Sequence, residues 1–352
     1  MTGGRATHPL RSMTESANQG LRVLIPSKPE DDLRQVARLL GETLRRERAH
    51  VRRLYIHRPV ESDFFIPETY TRFSEIARLE FEAESATRVQ TAREMSALAS
   101  KGFEVSAEVI RGTPTGEILR EANLWPADLI AVRTRSLAAG DNHIGGMASA
   151  LLYHATCPVL THHAIPVEYH LRRILIPTDF SMGSRKSIEW GLAVAEISGA
   201  EPVLLHVIPP GRWPGTDHVE LSAMAAEELE RWRVRVGPVL PRRVMEARVL
   251  QASTPAEGIL SFAQDQDADL IVMSATGSSV VRAVLLGSNT RKVVRASAWP
   301  VLVIPDANRV TAQGFLEKGK AKRRERAVEA LAAGVSRWRT PAIRAEQRGG
   351  VP

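Results

Sequence analysis

A stretch near the end of the chain, SATGSSVVRAVLLGSNTRKVV at 274–294, has residue types suited to holding an anion. Gly277 and Gly287 stand ten positions apart, and Ser288 and Asn289 follow the second glycine. Glycine lets a ligand approach the main chain closely, while hydroxyl and amide side chains add uncharged hydrogen bonds. No lysine stands where a P-loop would have one, so main-chain N–H groups at a helix start would hold the anion. The spacing alone is weak evidence, because glycines in such turns also serve backbone geometry.

The elements that would position this stretch are short apolar runs separated by longer segments of helical period. Runs that are apolar on both faces are typical of parallel strands covered by helices on two sides. The predicted strands of this half span 173–177, 202–208, 245–250, 270–274 and 301–304. The predicted helices span about 184–198, 218–235, 254–266 and 288–297. With right-handed crossovers, this order predicts an open, doubly wound α/β domain of five parallel strands.

Two loops of this half meet at the carboxyl edge of the predicted sheet, where ligands bind in folds of this kind. The first strand ends at IPTDF, which places Asp179 at that edge, and the fourth ends at VMSATG, which places Ser274 and Gly277 beside it. Gly287 opens the last helix, where unpaired N–H groups and the positive end of the helix dipole face outward. Thr254 and the three residues after it form a capping box that predicts another helix start.

The chain carries the same pattern twice. LRVLIPSK at 21–28 matches RRILIPTD at 172–179, and ADLIAV at 127–132 matches ADLIVM at 268–273, in the same order along the chain. Two copies are too few for a solenoid, so a whole domain is duplicated in tandem. The predicted fold is therefore two doubly wound α/β domains, each with a five-stranded parallel sheet and helices on both faces.

The net charge of +7 is confined to the end of the chain. Residues 307–352 hold eleven Lys or Arg and four Asp or Glu, so residues 1–306 hold 36 of each sign. The folded body is therefore not basic, and contact with nucleic acid is expected only weakly and through the tail. The tail is predicted to be solvated, with one helix around 322–338; the alternative is contact with an anionic partner.

Cysteine content and hydropathy favour a cytoplasmic protein. Cys157 is the only cysteine, and no segment approaches 18 uninterrupted apolar residues, so neither a disulfide framework nor a membrane span is indicated. His162, His163 and His170 fall between the two copies, where a solvated linker is favoured over a metal site. No metal ligand set is expected.

The motifs ILIPTDFS, LLHVIPP, ADLIVMSATG, GSNTRKVVRAS and PVLVIP, in this order, resemble the universal stress protein family in its tandem form. The resemblance implies the adenine nucleotide alpha hydrolase-like fold and domains at 21–163 and 172–306. The remaining segments are a disordered stretch at 1–20, a linker at 164–171 and the basic tail at 307–352.

The resemblance also implies a ligand, which is ATP or another adenine nucleotide, with or without Mg²⁺ or Mn²⁺. ATP-binding members of the family have the motif G-x2-G-x9-G-[S/T], whose first glycine is Ser274 here. Asp179 and Val207 would then face adenine and ribose, and the glycine loop would surround the phosphates. The candidate nucleotide-binding residues are Pro177, Thr178, Asp179, Val207, Met273, Ser274, Gly277, Gly287, Ser288 and Asn289.

The first copy departs further from the family motif. Lys28 replaces the aspartate at the end of its first strand, and Arg133, Arg135 and Ser136 stand where the first glycine pair would be. Only Gly145 and Gly146 survive. The first domain is expected to be a degenerate structural partner whose sheet packs against the second domain, although its arginines could form a different anion site.

These observations leave three classes of function. The leading one is a cytoplasmic stress or regulatory protein that binds ATP through its second domain and signals to a protein partner or a second copy of itself. The alternative is an interaction scaffold of the same fold that binds no nucleotide, a role that Ser274 motivates. A slow ATPase comes third, because Asp179 is the only carboxylate expected near the nucleotide and no nucleophile with a partnered base is evident.

Overall fold

The structure is a computed structural model that describes residues 20–27, 31, 33–44, 49–57, 95–134, 144–210, 218–236, 245–277, 286–306, 310–312 and 314. In the first half the elements are β1 (Leu21–Pro26), α1 (Leu33–Thr43), β2 (Ala49–His57), β3 (Glu104–Arg111), α2 (Pro114–Leu124), β4 (Leu129–Arg133), α3 (Gly146–His154) and β5 (Val159–His162). In the second half they are β6 (Arg173–Pro177), α4 (Met182–Ser198), β7 (Glu201–Ile208), α5 (His218–Val236), β8 (Glu246–Gln251), α6 (Pro255–Asp265), β9 (Leu270–Ser274), α7 (Ser288–Ala296) and β10 (Val301–Ile304).

The second half confirms the predicted alternation of strands and helices, with ends that shift by no more than two residues. The capping box is partly confirmed, since the Thr254 hydroxyl accepts the N–H of Glu257 at 3.3 Å and Pro255 is the first residue of α6. The apolar runs form the core: β6, β9 and β10 are buried along almost their whole length. The helices lie against these strands, so burial of apolar surface drives the layered arrangement.

The ten strands form one continuous sheet in the order β3-β2-β1-β4-β5-β10-β9-β6-β7-β8. Pairing is parallel within each half, whereas β5 and β10 pair antiparallel, with Leu160 opposite Leu302. The first domain therefore packs against the second, as expected, and the halves join edge to edge. Both edge strands are four buried residues long, and pairing them satisfies backbone groups that would otherwise remain unpaired in the core.

The segment between the halves is mostly exposed, as expected of a linker, but Ile165, Tyr169 and Leu171 are buried. The Arg38 guanidinium of α1 donates to the carbonyls of Ile165 and Pro166, both at 3.1 Å. Tyr169 is buried and donates its hydroxyl to the carbonyl of Asp269 at 3.0 Å. The connection therefore hydrogen-bonds to both halves and restrains their relative position.

His162 also departs from the expectation of a solvated linker. It is the last residue of β5, it is 4% exposed, and its Nδ1 lies 2.8 Å from the carbonyl oxygen of His163. Burial lowers the pKa of His162 to about 4, since desolvation disfavours the charged imidazolium. Within the described ranges, no group of three or more His, Cys, Asp or Glu side chains is placed to hold a metal ion.

The beginning of the basic tail packs against the body. Val310 and Ala312 are buried in the hydrophobic core, and the Thr311 hydroxyl accepts the N–H of Gly314 at 2.9 Å. Two of the described tail residues are therefore buried, so the tail is not solvated throughout. The predicted helix at 322–338 and the predicted disorder of the N-terminal stretch lie outside the described residues, as do Lys28, Arg135 and Ser136. None of the helices that are described is long and apolar enough to cross a membrane.

Candidate functional site

A tight turn after β6 presents Asp179 at the carboxyl edge of the sheet. Pro177 ends β6 in the core, and Thr178 continues the ladder by one bond, from its N–H to the carbonyl of Leu205 at 2.8 Å. The chain then leaves the sheet, with Phe180 N–H donating to the Thr178 hydroxyl at 3.1 Å. The Asp179 carboxylate accepts the N–H of Ser181 at 3.1 Å, and the Asp179 side chain is exposed at the edge.

Asp179 and Gly277 lie in contact across the cleft between β6 and β9. A Cβ atom added to Gly277 would lie 2.8 Å from Oδ2 of Asp179, closer than real Cβ contacts. A side chain at position 277 would therefore displace the Asp179 carboxylate from its present position. Its backbone is not in the left-handed region. The sequence-based expectation that the ends of the first and fourth strands meet is reproduced by this contact.

Ser274, at the first glycine position of the motif, turns its hydroxyl into the loop. Ser274 Oγ donates to the carbonyl of Thr276 at 2.5 Å, and the residue is only 8% exposed. Gly183 on α4 makes room for it, since a Cβ there would lie 2.8 Å from the Thr276 carbonyl oxygen and 3.4 Å from Ser274 Oγ. The serine therefore stabilises the loop from within, and its hydroxyl is not directed to a ligand.

The start of α7 provides main-chain donors at the same edge. Gly287 is the N-cap residue, with φ −55° and ψ 142°, and its own N–H already donates to the carbonyl of Ala275 at 2.7 Å. Ser288 is exposed and Asn289 is half-buried. Among the residues that the structure describes, nothing accepts the N–H groups of Ser288 and Asn289, as expected for the first turn of a helix without a side-chain cap. Two donors therefore lie at the positive end of the helix, beside the loop that follows β9, since Gly287 lies against Ala275 and Thr276.

Val207 contributes peptide groups rather than a side chain. Its side chain is buried, and a Cβ at Gly258 of α6 would lie 2.7 Å from it. Because strand peptides alternate in direction, the groups of Val207 point to the same side as those of Leu205, which bond the end of β6. β6 has ended at this level, so in the described part of the chain the N–H and C=O of Val207 have no ladder partner on that side. We call these two groups the Val207 edge.

An aromatic cluster supports the turn from one face of the sheet. The Phe180 and His206 rings are stacked, with centroids 4.5 Å apart, and Trp232 of α5 meets Phe180 edge-on at 5.7 Å. His206 Nδ1 lies 2.8 Å from the carbonyl oxygen of Thr178. Phe180 has φ 62°, a left-handed conformation that is uncommon for an aromatic residue and costs roughly 1 kcal/mol or more. The cluster therefore holds a strained turn in place.

Met273 is a candidate that the structure places in the core, as it does Pro177. It is 6% exposed and pairs with Val303 in the middle of the sheet. The sequence-based reasoning did not include Phe180 or Thr276, although Thr276 Oγ1 donates to the Asp306 carboxylate at 2.6 Å and so ties the glycine loop to the end of β10. The position of Phe180 directly after Asp179 was the only signal available for its part in the turn.

The first half repeats the helix start but not the rest of the site. Gly145 caps α3 with φ −50° and ψ 141°, nearly the geometry of Gly287, and a Cβ at Gly146 would meet nothing within 4 Å. The end of β4, by contrast, carries Arg133, whose guanidinium lies 3.4 Å from the carboxylate of Asp31. An ion pair therefore lies at the strand end that corresponds to Ser274 in the second half.

The fold and the site define a tandem, doubly wound α/β protein with an open helix start at the carboxyl edge of its second half. The chain belongs to the universal stress protein family, whose model matches residues 21–163 and 170–305. A universal stress protein of Methanocaldococcus jannaschii is 26% identical over 156 residues, which are 39% of this chain and 96% of that protein. One of Mycolicibacterium smegmatis is 29% identical over 189 residues, which are 51% of this chain and 62% of that protein.

A solved structure supports the fold over both halves. The crystal structure of a universal stress protein from Archaeoglobus fulgidus superimposes with a TM-score of 0.60 at 18% identity, covering 81% of this chain and 98% of that one. At this level of identity the likeness shows the fold alone.

Proposed function

We propose that the second domain binds ATP or another adenine nucleotide at the carboxyl edge of its sheet, and that the chain uses this binding in a cytoplasmic stress-response or regulatory role. The observation that carries the proposal is the pair of main-chain donors at Ser288 and Asn289, which no described residue accepts and which begin α7 beside the loop that holds Gly277. The stress-response role extends to this chain what the names of its relatives state.

The phosphates would lie against the start of α7. Main-chain N–H groups at a helix start, together with the helix dipole, favour a negatively charged group without a basic side chain. Ser288 and Asn289 add a hydroxyl and an amide to the same place. If Mg²⁺ or Mn²⁺ accompanies the nucleotide, phosphate oxygens and water would supply most of its ligands, since the Asp306 carboxylate already accepts from Thr276 and leaves Asp179 as the exposed carboxylate beside Gly277.

The base would lie against the Val207 edge. Adenine has an acceptor ring nitrogen beside a donor amino group, so it can accept from the N–H of Val207 and donate to its C=O. Guanine has a donor and an acceptor in the opposite order, which would leave both pairs mismatched. A polar group left unpaired at such an edge costs about 1–3 kcal/mol, so this arrangement favours adenine by at least tenfold. The Asp179 carboxylate would accept hydroxyl groups of the ribose.

Calorimetric titration of the purified chain with ATP, GTP and inorganic tripolyphosphate tests the proposal. ATP should bind more tightly than GTP, and tripolyphosphate should bind weakly at the same place and compete with ATP. Asp179→Asn keeps the shape of the side chain but weakens its hydroxyl bonds, so it should reduce affinity for ATP and leave that for tripolyphosphate nearly unchanged. Absence of ATP binding by protein that melts cooperatively would refute the proposal.

A scaffold that binds no nucleotide is the second candidate. It is favoured by the internal use of two groups that could have served a ligand, the N–H of Gly287 and the hydroxyl of Ser274. On this alternative, a Gly287→Asp variant would capture protein partners as the parent does. Loss of both nucleotide and partner in that variant would favour the nucleotide-dependent role.

A further inference from the structure

The Val207 edge is open because the end of β6 is drawn away from it. If β6 continued, the Thr178 carbonyl would accept the N–H of Val207, and the N–H of Phe180 would donate to the C=O of Val207. The structure gives both groups other partners. The Thr178 carbonyl accepts from His206 Nδ1 at 2.8 Å, and the Phe180 N–H donates to Thr178 Oγ1 at 3.1 Å.

His206 is the side chain that diverts the Thr178 carbonyl. A carbonyl oxygen only accepts, so Nδ1 of His206 must carry the proton in this bond. The ring is held in place from the other side by Phe180, which stacks on it with an interplanar angle of 27° and a centroid distance of 4.5 Å. Trp232 fixes Phe180 in turn, and its own Nε1 donates to the Glu228 carboxylate at 2.8 Å. The ring therefore has a defined position against the turn.

The backbone of Phe180 reinforces the effect. Its φ of 62° is incompatible with a strand, so the ladder cannot extend past Thr178 while this conformation persists. A strained conformation in a loop at a binding edge persists only where its surroundings hold it. Here the stack with His206 and the contact with Trp232 supply that restraint.

We propose that His206 is a positioning residue that keeps the Val207 edge open for the nucleotide base. The inference rests on the proposed adenine site and adds a cause for its selectivity. In the first half, Pro26 opposite Leu54 in β1 and β2 repeats Pro177 opposite Leu205, so Tyr55 occupies the position of His206. The half without the other features of the site thus also lacks the histidine.

Two variants separate the hydrogen bond of His206 from its stacking. His206→Phe keeps an aromatic ring against Phe180 but removes the donor, so the Thr178 carbonyl becomes available to Val207. His206→Asn places an amide N–H near the position of Nδ1 and should restore the bond. Amide hydrogen exchange, followed by NMR at Val207 with Leu205 as the internal reference, reports the state of the edge without any ligand.

We expect the Val207 amide to exchange at least tenfold faster than that of Leu205 in the parent and in His206→Asn, and to become protected in His206→Phe. In the same variant the preference for ATP over GTP should fall about tenfold while the affinity for tripolyphosphate stays the same. A merely structural role would change the affinities for all three ligands together.

Hydrogen exchange of the Val207 amide distinguishes a failure of the proposed nucleotide function from a failure of the positioning role of His206. If no nucleotide binds but exchange at Val207 responds to His206→Phe, the nucleotide function fails while the positioning role of His206 stands. If ATP binds with the same base preference in parent and His206→Phe, and the exchange of Val207 is unaltered, the positioning role is overturned while the function stands.

Discussion

Gly287→Asp should weaken binding of the proposed ligand strongly while leaving the stability of the fold nearly unchanged, and it does so more clearly than other substitutions at the site. Gly287 is the N-cap of α7, and aspartate is among the residues most favoured at that position. Its carboxylate would accept the N–H groups of the first helical turn, which are the groups that we assign to the phosphates. The variant therefore places a competing anion inside the site.

The structure gives the expected magnitude for both effects. The added Cβ would lie 3.2 Å from the Ala275 carbonyl oxygen, a contact that a shift of a few tenths of an ångström relieves. Since aspartate improves on glycine as a cap by only a few tenths of a kcal/mol, the free energy of unfolding should change by less than about 1 kcal/mol. A carboxylate about 5 Å from a phosphate charge, at an effective dielectric constant of about 20, opposes binding by about 3 kcal/mol. ATP affinity should therefore fall at least 100-fold.

Gly145→Asp is the matched control, because Gly145 caps α3 with nearly the same backbone angles. Isothermal titration calorimetry with ATP and urea unfolding should be measured for the parent and both variants. Gly145→Asp should bind ATP as the parent does. The reasoning is refuted if Gly287→Asp keeps the parental affinity, or if Gly145→Asp loses ATP to the same degree.

Three further predictions follow from other contacts. Gly277→Ala should weaken ATP binding about tenfold while changing the melting temperature little, because the new Cβ displaces the exposed Asp179 carboxylate; calorimetry and thermal melting check this, and unchanged affinity contradicts it. His162 binds a proton more readily unfolded (pKa 6.5) than folded (about 4), so up to about 3 kcal/mol of stability should be lost as pH falls from 6.5 to 4. Urea unfolding of parent and His162→Asn across that range measures the loss, and equal pH slopes would exclude it. Arg38→Ala removes two hydrogen bonds to the inter-domain segment and should lower the free energy of unfolding by about 1–2 kcal/mol. Proteolysis near Ile165 should become faster, and an unaltered cleavage rate would argue against the restraint.

The sequence was sufficient for the layered fold because strands buried on both faces read as continuous apolar runs, and the repeat doubled the evidence for each. The sequence did not predict that the halves join edge to edge through β5 and β10. The four apolar residues of β5 show that the strand is buried, but not which strand lies beside it. The same holds for the hydrogen bonds that anchor the connection between the halves, since contacts such as that of Tyr169 with Asp269 join positions 100 residues apart.

The candidate site was predictable where it depends on main-chain position. Asp179, Gly277 and Gly287 follow strand ends or open a helix, so their placement at one edge comes from the topology. The inward turn of Ser274 was not predictable, because it depends on the room that Gly183 leaves on a different element. Nor was the role of His206, whose bond to the Thr178 carbonyl depends on how the turn after β6 folds back.

The stoichiometry of ATP binding to the full chain tests the central proposal most directly. Calorimetric titration, with native mass spectrometry of the complex, should give one nucleotide per chain, lost in Gly287→Asp and retained in Gly145→Asp. Two nucleotides per chain would contradict the assignment of binding to the second half alone, and none would contradict the proposal that the start of α7 holds a phosphate.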